Sequence, residues 1–175
     1  MVKEKVLDLA NKINGTKTGQ PGALTPESVE YRLIEPFLTE EMAEVALCLK
    51  MGKPQRAEVV AEKCGKPVDK VKQLLSQMAM DGIIMLFTKD GIDRYALLPW
   101  IPGVFEMMVL NRENRKKYPL TRYFDEHAQH LGEKLAPNVP VGHGLMRVIP
   151  VQTAVDGQSR RASYEEIMSI IDKHE

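Results

Sequence analysis

Histidine and cysteine are the side chains that most often act as nucleophiles, bases or metal ligands, and this chain has few of them. His127 and His130 are three positions apart, so a helix would place both on one face, a spacing that suits a metal ion. No third ligand accompanies them, and His127 falls on an apolar stripe. We therefore predict a satisfied, partly buried His127. His143 between two glycines is too weak a pattern to indicate a ligand, and no nucleophile is paired with a base, so no catalytic site is predicted.

The two cysteines, Cys48 and Cys64, each fall on the apolar side of a predicted helix. Free cysteine in such a position behaves as a small hydrophobic side chain. Two cysteines alone form neither a metal site nor the disulfide framework of a secreted domain. The sequence therefore predicts two buried free thiols.

Amine and amide side chains are spaced along a predicted helix that begins at Pro67. They indicate contact with nucleic acid or with a protein. Lysine and glutamine can hydrogen bond to base edges, and cations on a following hairpin can contact phosphate. However, the outward side chains of this helix include no arginine, and residues 39 to 100 contain nine Lys or Arg against nine Asp or Glu. The candidate contacts to DNA or to a protein partner are Lys70, Lys72, Gln73, Gln77, Lys89 and Arg94.

A second cluster of cations lies further along the chain, in residues 112 to 122. Such a run is typical of a solvated helix face, and it can also bind an anionic partner. Its members are Arg112, Arg115, Lys116, Lys117 and Arg122.

The elements that would position these residues form a winged helix over residues 39 to 100. Thr39 is a candidate N-cap, and three apolar stripes with helical spacing follow, separated by glycine and proline. We expect the first helix to end at Gly52, the second to begin at Pro54 and the third to begin at Pro67 and end at Gly82. The connection between the second and third helices matches a helix-turn-helix. Two β-rich runs joined at Asp90-Gly91 then form the wing.

The whole chain is predicted to be α+β, mainly α, with three parts: residues 1 to 38, an N-terminal helix and loop; residues 39 to 100, the winged helix; and residues 101 to 175, a helical extension with a short strand. Residues 2 to 13 and 120 to 136 show helical periodicity, and residues 27 to 38 allow one or two helical turns. We predict the strand at residues 145 to 151 and a last helix opened by a capping box at Ser163 and Glu166.

The composition limits the cellular location and the classes of partner that we expect. The chain has 43% hydrophobic and 27% charged residues, with equal numbers of acidic and basic side chains. No apolar run reaches the roughly 18 residues of a membrane span, and the N-terminus lacks the apolar core of a secretory signal. We expect a cytoplasmic protein without a membrane partner. A homodimer formed through the terminal helices is left open.

Three stretches after the wing, PWIPGVFEMMV, MRVIPV and SYEEIMSIIDKHE, appear in that order. With the winged helix, they resemble the N-terminal region of ferredoxin-type 4Fe-4S iron-sulfur proteins of anaerobic bacteria and archaea. The resemblance implies a proline-bracketed connector that fastens the wing to the C-terminal part. The prolines and glycine around Trp100 predict an exposed side chain, in a segment that is otherwise typical of a packed connector. The implied connector residues are Pro99, Trp100, Pro102, Gly103, Phe105 and Glu106.

The chain departs from that family in lacking its cluster ligands. A 4Fe-4S cluster needs a spaced set of four cysteines, and neither Cys48 nor Cys64 matches such a set. We therefore expect no cofactor in this chain and place the clusters, with electron transfer, beyond Glu175. The favoured function is docking of a redox protein or of the chain's own ferredoxin domain. Two alternatives stay open: a DNA-binding transcriptional regulator, and a small-molecule or metal-binding protein with a pocket near His127.

Overall fold

A computed structural model describes residues 1–135, 137, 168, 169 and 172 of the chain. Met1–Ala136 form one compact unit and Pro137–Glu175 a second, so the predicted limits at residues 38 and 100 fall inside the first unit. The described elements are α1 (Glu4–Asn14), α2 (Val29–Ile34), a 3-10 turn (Glu35–Phe37), α3 (Glu40–Leu47), α4 (Ala57–Cys64), α5 (Val68–Met80), β1 (Ile84–Lys89), β2 (Ile92–Leu97), α6 (Phe105–Leu110), α7 (Arg112–Lys117) and α8 (Leu120–Leu135).

The protein is mainly helical, with one two-stranded antiparallel sheet in the part that the structure describes. This confirms the α+β, mainly α class. Among the described residues, no helix combines the length and the apolar character needed to cross a membrane. The predicted strand at 145 to 151 and His143 lie outside the described residues. Of the predicted last helix, only 168, 169 and 172 are described, and they are helical.

The helix α3 begins as its sequence predicts, because the Thr39 hydroxyl accepts a hydrogen bond of 3.2 Å from the backbone N–H of Met42. The predicted stripes of α1, α3, α4 and α5 join a single buried core. Glycines end α1 and α4 in the left-handed conformation, at Gly15 and Gly65.

The segment between α3 and α4 corrects the sequence prediction. The helix α3 ends at Leu47 rather than near Gly52, and α4 begins at Ala57 rather than Pro54. Residues 50 to 55 instead lie along β2, where the backbone groups of Gln55 and Tyr95 exchange hydrogen bonds of 2.9 and 2.8 Å. This pairing satisfies backbone groups that a helix would otherwise have satisfied, and local periodicity cannot reveal it because β2 is distant in sequence.

The hairpin forms as predicted, with Ile84 opposite Leu97 and Lys89 opposite Ile92. Asp90 and Gly91 have φ values of 55° and 69°, the left-handed pair that a two-residue hairpin turn requires.

The N-terminal helix α1 supports α3. Its apolar side packs against α3, and the Lys12 ammonium donates hydrogen bonds of 2.6 and 2.8 Å to the carbonyls of Leu47 and Leu49 at the end of α3. A cation at a helix C-terminus satisfies exposed carbonyls and interacts favourably with the helix dipole.

The C-terminal helices of the first unit pack closely on the end of α5. A Cβ atom at Gly82 would lie 2.7 Å from the backbone of Met107 and Met108, so only glycine permits this approach. The Asn111 and Asn114 side chains donate hydrogen bonds of 2.7 and 2.9 Å to the carbonyls of Met80 and Asp81, respectively. Two amide side chains therefore fasten α7 to the end of α5.

Candidate interaction surfaces

The first candidate surface is the outward face of α5, which the sequence predicted to contact DNA or a partner. Lys70, Lys72, Gln73 and Gln77 are all exposed, as predicted. Their neighbours were not predicted. Lys70 lies 3.3 Å from a carboxylate oxygen of Glu41 on α3, and Lys72 lies 3.1 Å from one of Glu58 on α4.

In the pair between α4 and α5, the pKa of each member is shifted in the direction that favours its charged form. The hydrogen bond to Glu58 raises the pKa of Lys72. The pKa of Glu58 is lowered, first by a bond to its own backbone N–H at the start of α4 and then by Lys72. Beside them, the hydrogen bond to Glu44 raises the pKa of Lys66. The cations of α5 therefore face carboxylates that already balance their charge.

A groove of about 390 Å³ lies between α4, α5 and the β1–β2 hairpin. Glu58 and Asp93 contribute carboxylates to it, and Lys72 contributes one ammonium group. The Ser76 and Tyr95 hydroxyls are 3.2 Å apart across it. Of the two candidate cations on the β1–β2 hairpin, Lys89 is exposed and Arg94 is half-buried. A groove with more carboxylates than cations opposes binding of a phosphate backbone. Its lining residues are Ala57, Glu58, Lys72, Ser76, Gly91, Ile92, Asp93 and Tyr95.

The second candidate surface, named here the α7 surface, consists of the exposed cations Arg112, Arg115, Lys117 and Arg122. The Asn111 side chain caps α7 by accepting hydrogen bonds from the N–H groups of Glu113 and Asn114, so Lys117 falls in the last turn, where the helix dipole favours cations. Arg115 donates a 2.8 Å hydrogen bond to the carbonyl of Val109.

Unlike the α5 cations Lys70 and Lys72, the cations of the α7 surface are not paired with carboxylates of the described residues. Within the described residues, the neighbouring Lys116 is the only cation of the 112 to 122 run with a carboxylate partner, Glu113 at 2.7 Å. The four cations of the α7 surface therefore project positive charge into solvent.

An apolar groove of about 360 Å³ lies between α6 and α8, next in sequence to the α7 surface. Leu110 is 70% exposed, an unusual state for a large apolar side chain in a folded unit. No sequence prediction included this groove, because its two walls come from separate helices. Its lining residues are Glu106, Val109, Leu110, Thr121, Phe124 and Asp125.

Residues 99 to 106, which the resemblance implied as a connector, lead from β2 into α6, but Trp100 is not exposed. Its side chain is 5% accessible and makes an edge contact with the fully buried Phe105, with ring centroids 6.0 Å apart. Pro99 and Pro102 remain exposed at the surface of the bend. The prediction of an exposed tryptophan was wrong, because the side chain joins the core that the C-terminal helices complete.

The remaining connector residues begin the next helix. The Glu106 carboxylate accepts a 2.6 Å hydrogen bond from the backbone N–H of Gly103, just before α6. Phe105 packs edge-on against Phe124 and stacks on the His127 ring at 4.7 Å between centroids. The connector therefore directs Phe105 into the contact between α6 and α8.

His127 is a buried, satisfied histidine, as predicted. Its Nδ1 atom lies 2.7 Å from a carboxylate oxygen of Glu30, and both side chains are less than a tenth exposed. Nearby, Arg32 pairs with Glu126, and its guanidinium lies 5.7 Å from the centre of the Tyr123 ring. These polar contacts join α2 to α8, and they explain His127 without a ligand.

His130 is exposed and does not share that environment. It borders a cavity of about 270 Å³ lined by Leu24, Ser28, Glu30, His130 and Glu133. Over the described part of the chain, no group of three histidine, cysteine or acidic side chains is arranged to hold a metal ion.

The cysteines differ from prediction in one respect. Cys48 and Cys64 are free thiols, as predicted, but both are half-buried rather than buried. Two cysteines do not fit a 4Fe-4S cluster, which takes four thiolates. No cluster can therefore be assigned to the residues of this chain.

Comparison with known proteins gives no relative: no protein-family model, no curated protein and no solved structure matches the chain.

Proposed function

We propose that this chain is a non-catalytic docking module built on a winged helix, and that its α7 surface holds an acidic redox partner. The partner class is a 4Fe-4S ferredoxin-type protein or the chain's own ferredoxin domain. The proposed location of the chain is the cytoplasm.

The winged-helix assignment is supported by the order of three helices and a hairpin over residues 39 to 100. The segment at residues 50 to 55 adds support, because it pairs with β2 and extends the hairpin as a short third strand would. In such a module, α5 would be the helix that follows the helix-turn-helix turn.

The observation that carries the docking proposal is the contrast in charge pairing. Redox encounters between proteins are steered by complementary charge over a small area. The α7 surface offers four exposed cations without a carboxylate partner among the described residues, and the mainly apolar groove next to it in sequence also has the carboxylates of Glu106 and Asp125 in its lining. An acidic partner with a small apolar contact area matches that surface.

The test is titration of the purified chain with a reduced and an oxidised two-cluster bacterial ferredoxin of net negative charge. NMR shifts in the backbone amides of residues 109 to 122 are expected on addition of ferredoxin. Binding should weaken steeply as salt shortens the Debye length from about 30 Å at 0.01 M to about 8 Å at 0.15 M. Absence of binding at the lower salt concentration, or shifts confined to α5 and the wing, would overturn the proposal.

A DNA-binding transcriptional regulator is the second candidate, and the exposed amides of Gln73 and Gln77 on α5 and the exposed Lys89 of the hairpin favour it. This function requires α5 to enter a major groove with Gln73 or Gln77 at a base edge. Selection from a random duplex library, followed by anisotropy measurements at several salt concentrations, distinguishes it. A selected sequence bound in the nanomolar range would replace the docking proposal.

A further inference from the structure

The groove between α6 and α8 adjoins the most exposed apolar side chains of the fold. Leu110 is 70% exposed and Met80 is 72% exposed, and among the described residues only Met1 is a more exposed large apolar residue. The two residues lie close together, because the side chain of Asn111, next to Leu110, donates its 2.7 Å hydrogen bond to the carbonyl of Met80. Exposed apolar side chains that adjoin one another mark an interaction site.

Two carboxylates border one end of this groove. Glu106 follows Phe105 in α6 and Asp125 follows Phe124 in α8, and the two rings are in contact, with centroids 5.9 Å apart. Both acidic residues also line the groove. The Glu106 carboxylate accepts a hydrogen bond from the backbone of Gly103, but neither carboxylate forms an ion pair within the described part of the chain. This end of the groove therefore carries negative charge that no cation balances there.

A guanidinium group lies at the opposite end. Arg115 donates its 2.8 Å hydrogen bond to the carbonyl of Val109, which also lines the groove. Helix carbonyls point toward the C-terminus of their helix, so the guanidinium lies at the end of α6 that is away from Glu106. A guanidinium has five N–H donors, and this bond therefore leaves donors for a carboxylate.

We propose that this face binds a second copy of the chain in a dimer with two-fold symmetry. In such a dimer the same surface of each copy meets the other, so every contact forms twice. A two-fold axis through the middle of the groove brings Arg115 of each copy to the partner's Asp125. The exposed Leu110 of each copy then enters the groove of the other.

The distribution of charge favours this occupant over the acidic partner proposed for the α7 surface. An acidic protein in the groove would place its carboxylates against Glu106 and Asp125, and like charges across an interface oppose binding. A basic protein would instead meet Arg115. A face with an acidic end, an apolar middle and a basic end complements a copy of itself that is turned by half a rotation. The dimer requires only Arg115 of the α7 surface and is an interaction additional to the proposed docking.

Sedimentation velocity of the purified full chain tests the proposal. The sedimentation coefficient should rise from that of a monomer to that of a dimer between about 1 μM and about 1 mM, the range of dissociation constants of weak interfaces. It should rise no further, because a two-fold interface closes on itself. A monomer at every concentration would overturn the proposal and assign the groove to a different occupant, such as an amphipathic helix of another protein. Growth beyond the dimer would exclude the two-fold arrangement.

An apolar substitution locates the interface. Leu110→Gln should weaken dimerisation at least about tenfold, because it removes the central apolar contact from both halves of the interface. Leu86→Gln, at the 43% exposed position on β1, is the matched control and should change Kd by less than about twofold. Equal dissociation constants for the unmutated chain and Leu110→Gln would place the dimer contact elsewhere and overturn the proposal.

Exchange of the two charges identifies the symmetry. Arg115→Glu and Asp125→Arg should each weaken dimerisation at least about tenfold, because each creates two repulsive contacts. An equimolar mixture of these two variants should dimerise within about threefold of the unmutated chain, since each mixed dimer restores both attractive contacts. Lys89→Glu, on the hairpin, is the charge control and should leave Kd unchanged.

A mixture that dimerises no better than the two variants alone would contradict the pairing of Arg115 with the partner's Asp125. All the substituted side chains are exposed, and far-UV circular dichroism checks that each variant folds. If a variant does not fold, the concentration series on the unmutated chain still decides whether a dimer forms. No ferredoxin is present in these measurements, so their failure leaves the docking proposal intact.

Discussion

The outward face of α5 and the α7 surface both carry exposed cations, but their neighbours give the two faces a different charge balance. The helices α3 and α4 bring Glu41 and Glu58 within ion-pair distance of the α5 cations. In the 112 to 122 run, the one ion pair among the described residues joins Glu113 to Lys116. The local charge of a segment is therefore a poor guide to the charge that a partner meets, since packing decides which cations are already balanced.

The difference concerns recognition more than stability. Ion pairs between exposed side chains contribute little to folding because water screens them and the side chains lose freedom. They nevertheless reduce the field that attracts a charged partner. The α5 pairs thus lower the attraction of this face for phosphate without acting as a major source of stability.

Both surfaces belong to one compact unit, and the variant Phe105→Ala, which has the largest expected effect, tests whether that unit unfolds as a whole. Removing this fully buried ring from its contacts with Trp100, Phe124 and His127 should cost about 3–5 kcal/mol of unfolding free energy. Urea unfolding followed by Trp100 fluorescence and by far-UV circular dichroism should give one shared, lowered midpoint. Leu86→Ala, at a 43% exposed position on β1, is the control and should cost far less. Two separate unfolding transitions would show that the two surfaces do not belong to one cooperative unit.

Matched charge reversals test the contrast directly. Arg112→Glu/Lys117→Glu should weaken binding of a negatively charged ferredoxin by more than about tenfold at low salt, because unpaired cations are replaced by repelling charges. Lys70→Glu/Lys72→Glu changes the net charge equally and should weaken binding by less than about threefold, since that face is outside the proposed interface. Titration calorimetry measures both. Equal losses would mean that only net charge matters.

Removing the carboxylates that pair with α5 should partly erase the difference between the surfaces. In Glu41→Gln/Glu58→Gln, Lys70 and Lys72 lose their partners and become available to phosphate. We expect a severalfold gain in non-specific affinity for duplex DNA and a salt dependence steeper by up to about 1.8 in log-log slope, for two added phosphate contacts. Anisotropy with a labelled duplex measures this gain. An unchanged slope would indicate that geometry, rather than pairing, keeps α5 from DNA.

The smallest expected effect is that of pH on the α5 face. The pKa of Glu58 lies below its ordinary value and that of Lys72 above it, so both groups stay charged between pH 5 and pH 8. Protonation of Glu58, which would release Lys72, requires a pH below the ordinary glutamate range. Affinity for duplex DNA measured at constant salt should therefore stay level over this interval, apart from histidine titration elsewhere. His130→Gln provides the control for that contribution. A steep rise toward pH 5 in both proteins would show that the pair is weaker than its geometry indicates.

Much of the first unit was predictable because its signals are local. The apolar stripes of α1, α3, α4 and α5, the Thr39 cap and the Asp90-Gly91 turn each depend on residues a few positions apart. The start of α4 and the environment of Trp100 were wrongly predicted for a shared reason. Each depends on contact with a distant segment, β2 in the first case and the C-terminal helices in the second.

The candidate sites likewise combine features that follow from local sequence with features that depend on contacts between distant segments. The amino-acid sequence alone determined which side chains carry charge, which helix faces are apolar and that two free thiols are present. Tertiary structure alone decided that the α5 cations Lys70 and Lys72 are paired with carboxylates and that the cations of the α7 surface have no such partner among the described residues. The physical reason is that helical periodicity assigns a residue to a face of its own helix, whereas charge balance depends on the side chain brought opposite by another helix.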